Sequence, residues 1–298
     1  MNHRTLGRSE LYISEISFGC MSLGTDHDAN AKLLHAAVDR GINFFDTADL
    51  YEKGFNEETV GKAFRENRQK VMIATKVGNQ WKSDGSGWDW NPTKSYILGA
   101  VDESLRRLQT DYIDLYQLHG GTIDDPIDDT IEAFELLKLQ GKIRYYGISS
   151  IRPNVIREYV KRSKMVSVMM QYSLLDRRPE EECLNLLQQN SIGVLARGSL
   201  AGGLLVSKRA KQYLSYSSSE VAKAREAIKA VADDNRTRTE TALKFALQNK
   251  SITSAVVGMR NPEQLQLAMA ANNAPPLSDE EALTLSKSIE PNTYDSHR

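Results

Sequence analysis

Eight short apolar runs recur along the chain, and a stretch with helical apolar spacing separates most of them. The runs are "ISEISFG" (13–19), "INFFD" (42–46), "VMIATK" (71–76), "YIDLYQLH" (112–119), "IRYYGIS" (143–149), "MVSVMMQ" (165–171), "IGVLAR" (192–197) and "ITSAVVG" (252–258). Their apolar residues are mostly consecutive, the mark of parallel strands covered on both faces. Strands alternating with helices eight times predict an α/β fold, a closed (β/α)8 TIM barrel rather than an open sheet. The helices have readable ends. "DANAKLLHAAVDRG" is expected to start at an Asp28 cap, to carry apolar residues at 33, 34, 37 and 38, and to stop at Gly41. "SYILGAVDESLRRL" places Ile97, Val101, Leu105 and Leu108 on one face, and Pro153 suits a first helical turn. The opening "RTLGRSELYI" reads as an N-terminal β-hairpin. An extra helix, "SSSEVAKAREAIKAVADDN", is expected in the long loop between strands 7 and 8. No linker divides the chain, so residues 1–298 are expected to form one barrel domain.

Composition narrows the partners. Lys plus Arg is 38 against 39 for Asp plus Glu, so no overall field points to nucleic acid or an anionic membrane. No run of about 18 apolar residues offers a membrane span, and the N-terminus lacks the apolar core of a signal peptide. Cys20 and Cys183 lie far apart and form no metal-like spacing, which fits a reducing cytoplasm. The expectation is a cytoplasmic protein that acts on small molecules and needs no metal.

Active sites of such barrels lie at the C-terminal ends of the strands. There the second strand ends at Asp46, with Tyr51 in its loop; Lys76 ends the third and His119 the fourth. Singly, each is an ordinary rim, core or capping residue. Together, at one end of three successive strands, they form a constellation. A lysine ammonium near a phenol favours phenolate and lowers its pKa, and a buried aspartate keeps the lysine charged. A histidine can orient a carbonyl oxygen. The set suits proton donation to a carbonyl that is becoming an alkoxide. It holds no electron source, so a hydride-carrying cofactor is implied.

At these residues the chain resembles the aldo-keto reductases. The motifs, in order, are "LGRSELYISEISFGCMSLG", "GINFFDTADLYEKGFNEETVGKAF", "ATKVG", "SLRRLQTDYIDLYQLH", "GKIRYYGISS" and "VVGMRNPEQL". The resemblance implies a barrel holding NADPH or NADP+ in extended form and reducing a small carbonyl substrate, with no metal. It assigns Tyr51 as proton donor, Lys76 and Asp46 as the pair that tunes it, and His119 as the substrate-orienting group. The alternative it implies is a low-turnover NADP(H)-binding regulatory protein of the same fold.

No GxGxxG follows a strand, so the dinucleotide must bind through the late loops. In "ARGSLAGGLL" small residues allow backbone N–H groups to approach a pyrophosphate, unless the stretch is a plain loop. In "GMRNPEQL" Arg260 and Gln264 sit near a helix N-terminus, where an arginine can pair with a 2′-phosphate. By resemblance the cofactor contacts are Gly19, Cys20, Met21 and Asp46 early in the chain. Ser149, Gln171, Arg197, Gly198, Ser199 and Leu200 follow, then Gly202, Leu204, Gly258, Arg260 and Gln264. The chain departs from the family pattern at three places. Ser149-Ser150 replaces the usual Ser-Asn, Met169 stands where a carboxamide-binding Gln is usual, and Arg197 stands where many members stack an aromatic ring. Gln171, two residues on, shares a strand face with Met169 and offers a substitute. All three tryptophans fall in "WKSDGSGWDW", which either walls a substrate pocket or pins a long loop. Trp81 and Phe55 are the expected wall residues.

Overall fold

In the computed structural model, which describes residues 1–298, the chain opens with a hairpin of β1 (His3–Thr5) and β2 (Tyr12–Ser14). Its turn depends on Gly7: φ is +55°, and a Cβ there would lie 2.3 Å from the Val166 carbonyl oxygen. Next come β3 (Ile16–Gly19), α1 (His27–Asp39), β4 (Phe44–Asp46), α2 (Phe55–Phe64) and β5 (Met72–Val77). The tryptophan-rich segment is a second hairpin, β6 (Asn79–Trp81) and β7 (Trp88–Trp90), with Trp81 opposite Trp88. Then follow α3 (Lys94–Leu108), β8 (Ile113–Leu118), α4 (Ile127–Leu139), β9 (Ile143–Ser149), α5 (Pro153–Arg162) and β10 (Ser167–Gln171). The chain ends through α6 (Cys183–Gln189), β11 (Gly193–Arg197), α7 (Ser218–Val231), α8 (Arg238–Leu247), β12 (Ile252–Gly258), α9 (Pro262–Asn273) and α10 (Asp279–Lys287).

Strands β3, β4, β5, β8, β9, β10, β11 and β12 close into a barrel in chain order, every neighbouring pair parallel. The eight expected strands and the extra helix, α7, are all present. Helix α1 is capped by Asp26 rather than Asp28: the Asp26 carboxylate accepts from the Asp28 and Ala29 amides, and the cap lies two residues earlier. Asp28 then lies in the first turn, where a carboxylate meets the positive end of the helix dipole.

Strand alternation sorts the side chains. Phe44, Ala74, Leu115, Met169, Leu195 and Val256 point inward and pack on Leu6, Leu11 and Ile13 of the N-terminal hairpin, which plugs the barrel floor. Their neighbours Phe45, Ile73, Tyr116, Met170 and Val257 point outward under the helices. With the floor filled by apolar residues, the inward positions one step further along the strands are left to line a cavity at the opposite end.

Candidate active site

Two residues beyond Phe44 and Ala74, alternation brings Asp46 and Lys76 to the inner face of adjacent strands. Lys76 Nζ donates to Asp46 Oδ2 at 2.7 Å, to the Thr47 carbonyl at 2.6 Å and to the Tyr51 hydroxyl at 3.3 Å. Gln117, beside Lys76 in the register, donates to the other Asp46 oxygen at 3.4 Å. His119 follows the end of β8, its ring edge-on to Tyr51 with centroids 5.8 Å apart.

The electrostatics give each group a protonation state. Burial pulls the Lys76 pKa down, but Asp46 and Tyr51 outweigh it, so the net shift is upward and the ammonium stays charged. Burial pushes the Asp46 carboxyl up, against the pull of Lys76. For Tyr51 burial also outweighs the lowering by Lys76, so the phenol lies above its ordinary value. This corrects the expectation from sequence: the desolvation of a phenolate exceeds its stabilisation by one ammonium. Tyr51 is therefore a proton-bearing phenol at neutral pH. His119 is pushed down to about 3, by burial first and then by Lys76 and Arg197. It is a neutral imidazole, and its Nδ1 is buried without a partner. Nε2 is left as the nitrogen that can meet a ligand.

These four side chains lie in one cavity of about 1420 Å³ at the C-terminal end of the barrel. Its lining carries six cations, Lys76, Arg152, Arg197, Lys208, Arg238 and Arg260, against one carboxylate, Asp46. The N-termini of α8 (Thr237–Thr239) and α9 (Arg260, Gln264) both face it. A helix N-terminus presents free amides and a positive dipole end to an anion. Beside Tyr51 a smaller cavity of about 510 Å³ is bounded by Met21, Leu50, Trp81 and Trp88. Met21 and Trp88 are 66% and 48% exposed, an unusual degree for large apolar side chains.

The family model for aldo/keto reductases matches residues 15–290. An uncharacterised oxidoreductase, YqkF of Bacillus subtilis, is 51% identical over the full length of both chains. Among solved structures, the holo form of aldo-keto reductase AKR11C1 from Bacillus halodurans superposes with a TM-score of 0.94 at 49% identity, covering 100% of this chain and 99% of that one. Glycerol dehydrogenase AKR11B4 from Gluconobacter oxydans superposes with a TM-score of 0.88 at 25% identity, covering 99% and 98%.

The chain belongs to the aldo/keto reductase family. As an aldo/keto reductase it is an oxidoreductase, and its cavity brings together most of the residues expected from sequence. Gly19, Met21, Asp46, Ser149, Arg197, Gly198, Ser199, Leu200, Gly202, Gly258, Arg260 and Gln264 all line the main cavity with Tyr51, Lys76 and His119. Four expected residues line neither cavity. Cys20 is fully buried among the outer core residues. Leu204 packs in the apolar cluster under α7 and α8. Phe55 stacks on His27 with centroids 4.3 Å apart. Gln171 lies beside Gly198, off the lining, while Met169 is on it. Trp81 borders the smaller cavity; Trp88 borders both. Trp90 also lines the main cavity and pins the hairpin, with Nε1 donating to Asp125 Oδ1 at 2.9 Å and its ring packed on Gly78 and Gly120. The sequence reading missed Gln117, Arg152, Lys208 and Arg238. For Arg238 a signal existed: "TRTE" at 237–240 is a capping box, which marks a helix N-terminus after the seventh strand.

Proposed function

We propose that this reductase uses NADPH to reduce aldehydes or ketones to alcohols, with Tyr51 as proton donor. The observation that carries the reading is the lining itself: five cations beyond the Lys76–Asp46 pair, and two helix N-termini, continuous with the Tyr51 hydroxyl. Such a surface fits a ligand with several phosphate charges, and the volume suits a dinucleotide with room for a small substrate. The buried, unpartnered Ser199 hydroxyl on this lining is a further polar group available to it. In this reading Arg260, with Arg238 and Lys208 on the same lining, holds the 2′-phosphate and pyrophosphate, and the 2′-phosphate contact favours NADPH over NADH. Ser149 meets the carboxamide, and Arg197, which has no side-chain partner in the protein, stacks on the nicotinamide or contacts its ribose.

The cofactor supplies a hydride to the carbonyl carbon. His119, neutral, donates from Nε2 to the carbonyl oxygen and orients it. As the oxygen becomes an alkoxide, the Tyr51 hydroxyl gives up its proton, and the Lys76 ammonium at 3.3 Å stabilises the phenolate left behind. Asp46 and the Thr47 carbonyl hold that ammonium in place. The apolar shelf of Met21, Leu50, Trp81 and Trp88 beside the phenol favours carbonyl compounds with an alkyl or aryl substituent. The chain is proposed to work as one barrel domain in the cytoplasm. No helix is long and apolar enough to cross a membrane, and both cysteines are free and buried.

The test is NADPH consumption with a panel of alkyl, aryl and polyhydroxy aldehydes. Turnover is expected with the highest kcat/KM for the apolar members and far less with NADH. A protein that binds NADPH but reduces none of the panel would sink the reductase reading.

A further inference from the structure

Tyr51 opens a turn (Tyr51–Gly54) in which the next three residues, Glu52, Lys53 and Gly54, have φ of 49°, 57° and 89°. Left-handed backbone at non-glycine residues persists only where the surroundings over-determine it. Under this turn lies the side chain of Arg107, from the last turn of α3. A Cβ on Gly54 would come 2.6 Å from Arg107 Cδ and 2.7 Å from its Nε. The arginine is itself fixed. Its Nε donates to Glu57 Oε2 at 2.7 Å and its Nη2 to Ser104 Oγ at 3.3 Å. Glu57, fully buried in the first turn of α2, accepts from Thr75 Oγ1 at 2.5 Å through its other oxygen. Thr75 immediately precedes Lys76 on β5. Asp49, two residues before Tyr51, is buried beside the same group, with one carboxyl oxygen unpartnered. Burial and Glu57 push its carboxyl well above the usual range, and Arg107 is the strongest charge pulling it back.

One arginine thus touches the turn that carries Tyr51 and, through Glu57 and Thr75, the strand that carries Lys76. It lines neither cavity. We infer that Arg107 is a positioning residue for carbonyl reduction: it sets the Tyr51 hydroxyl against the Lys76 ammonium by holding the Gly54 turn from below and the Glu57–Thr75 link from the side. The inference rests on Tyr51 being the proton donor.

Arg107→Met keeps the length and apolar stem while removing the Nε donor and the charge. A small displacement of a reacting group by a remote substitution can lower rate by about 10²-fold. The expected result is a kcat loss of that order with NADPH affinity unchanged. The alkaline limb of the kcat profile should also move upward, because a phenol further from Lys76 holds its proton more tightly. On a Tyr51→Phe background the same substitution should cost almost nothing more, whereas a merely structural role costs the same factor in both backgrounds. Glu57→Gln/Arg107→Met, which leaves no uncompensated Glu57 charge, keeps the test valid if the single variant folds poorly. Its thermal stability should recover while kcat stays low; recovery of kcat together with stability would overturn the inference. An unimpaired Arg107→Met enzyme beside a slow Tyr51→Phe enzyme overturns it alone. A Tyr51→Phe enzyme with parental turnover removes the proton-donor reading and this inference with it.

Discussion

Lys76 Nζ donates to Asp46, to the Thr47 carbonyl and to Tyr51, which uses all three hydrogens of an ammonium. A buried ammonium is tolerable when it is paired and its donors are satisfied; Asp46 is the opposite charge whose removal would leave it uncompensated. Two predictions belong at this scale. Tyr51→Phe keeps the ring and removes the proton, so turnover should fall by about 10²–10⁴-fold while NADPH affinity, read by fluorescence titration, barely changes. Lys76→Met should act in the same direction, and the double variant should lose little more than the worse single one. Fully additive losses would mean that the two residues act separately. His119 carries the second prediction. As pH falls through the ordinary histidine value of 6.5, the unfolded chain takes up a proton that the folded chain refuses until about 3. The contribution of neutral His119 to stability is therefore fully present above 6.5 and is lost progressively between 6.5 and about 3. Urea midpoints across this window should decline less steeply in His119→Gln than in the parent.

Both tryptophans of β7 line the main cavity, but they are held differently. Trp90 on β7 is tied to Asp125 and packed on two glycines, so it anchors the element. Trp88, two residues earlier on the same strand and 48% exposed, faces the cavities. Trp88→Ala should leave the unfolding midpoint near the parent value and raise KM for apolar carbonyl compounds. Trp90→Ala should lower the midpoint, by less than the roughly 3–5 kcal/mol typical of a fully buried tryptophan because this one is half-buried. Equal KM for apolar substrates in the parent and Trp88→Ala would remove the shelf from the substrate site.

Across the whole molecule, a net charge of −1 conceals a strong local imbalance, since six cations and one carboxylate share one cavity. Low-dielectric walls focus such a field on a bound anion. A ligand that binds only the folded state raises the unfolding temperature with concentration. NADPH should therefore raise Tm more than NADH does at the same concentration. Arg260→Ala should narrow that gap, with a loss in NADPH binding of roughly 1.5–3 kcal/mol, the worth of a hydrogen bond to a charged group. Equal Tm shifts for the two dinucleotides in the parent protein would contradict the 2′-phosphate contact.

Sequence by itself determined the barrel and the end of it at which Asp46, Lys76 and His119 lie. These follow from local rules: apolar runs demand burial on both faces, and the pleat sends every second side chain inward whatever surrounds it. The same rule put Gln171 on the face of Met169, yet Gln171 lies beside the Gly198 turn and off the lining. Loop residues carry no such period. Their side-chain directions are set by distant partners, as when His27 takes the ring of Phe55, or when the segment before α7 brings Lys208 to the cavity lining. Only the tertiary structure could also show that burial outweighs Lys76 at the Tyr51 phenol, because desolvation depends on every atom packed around a group and not on its neighbours in the chain.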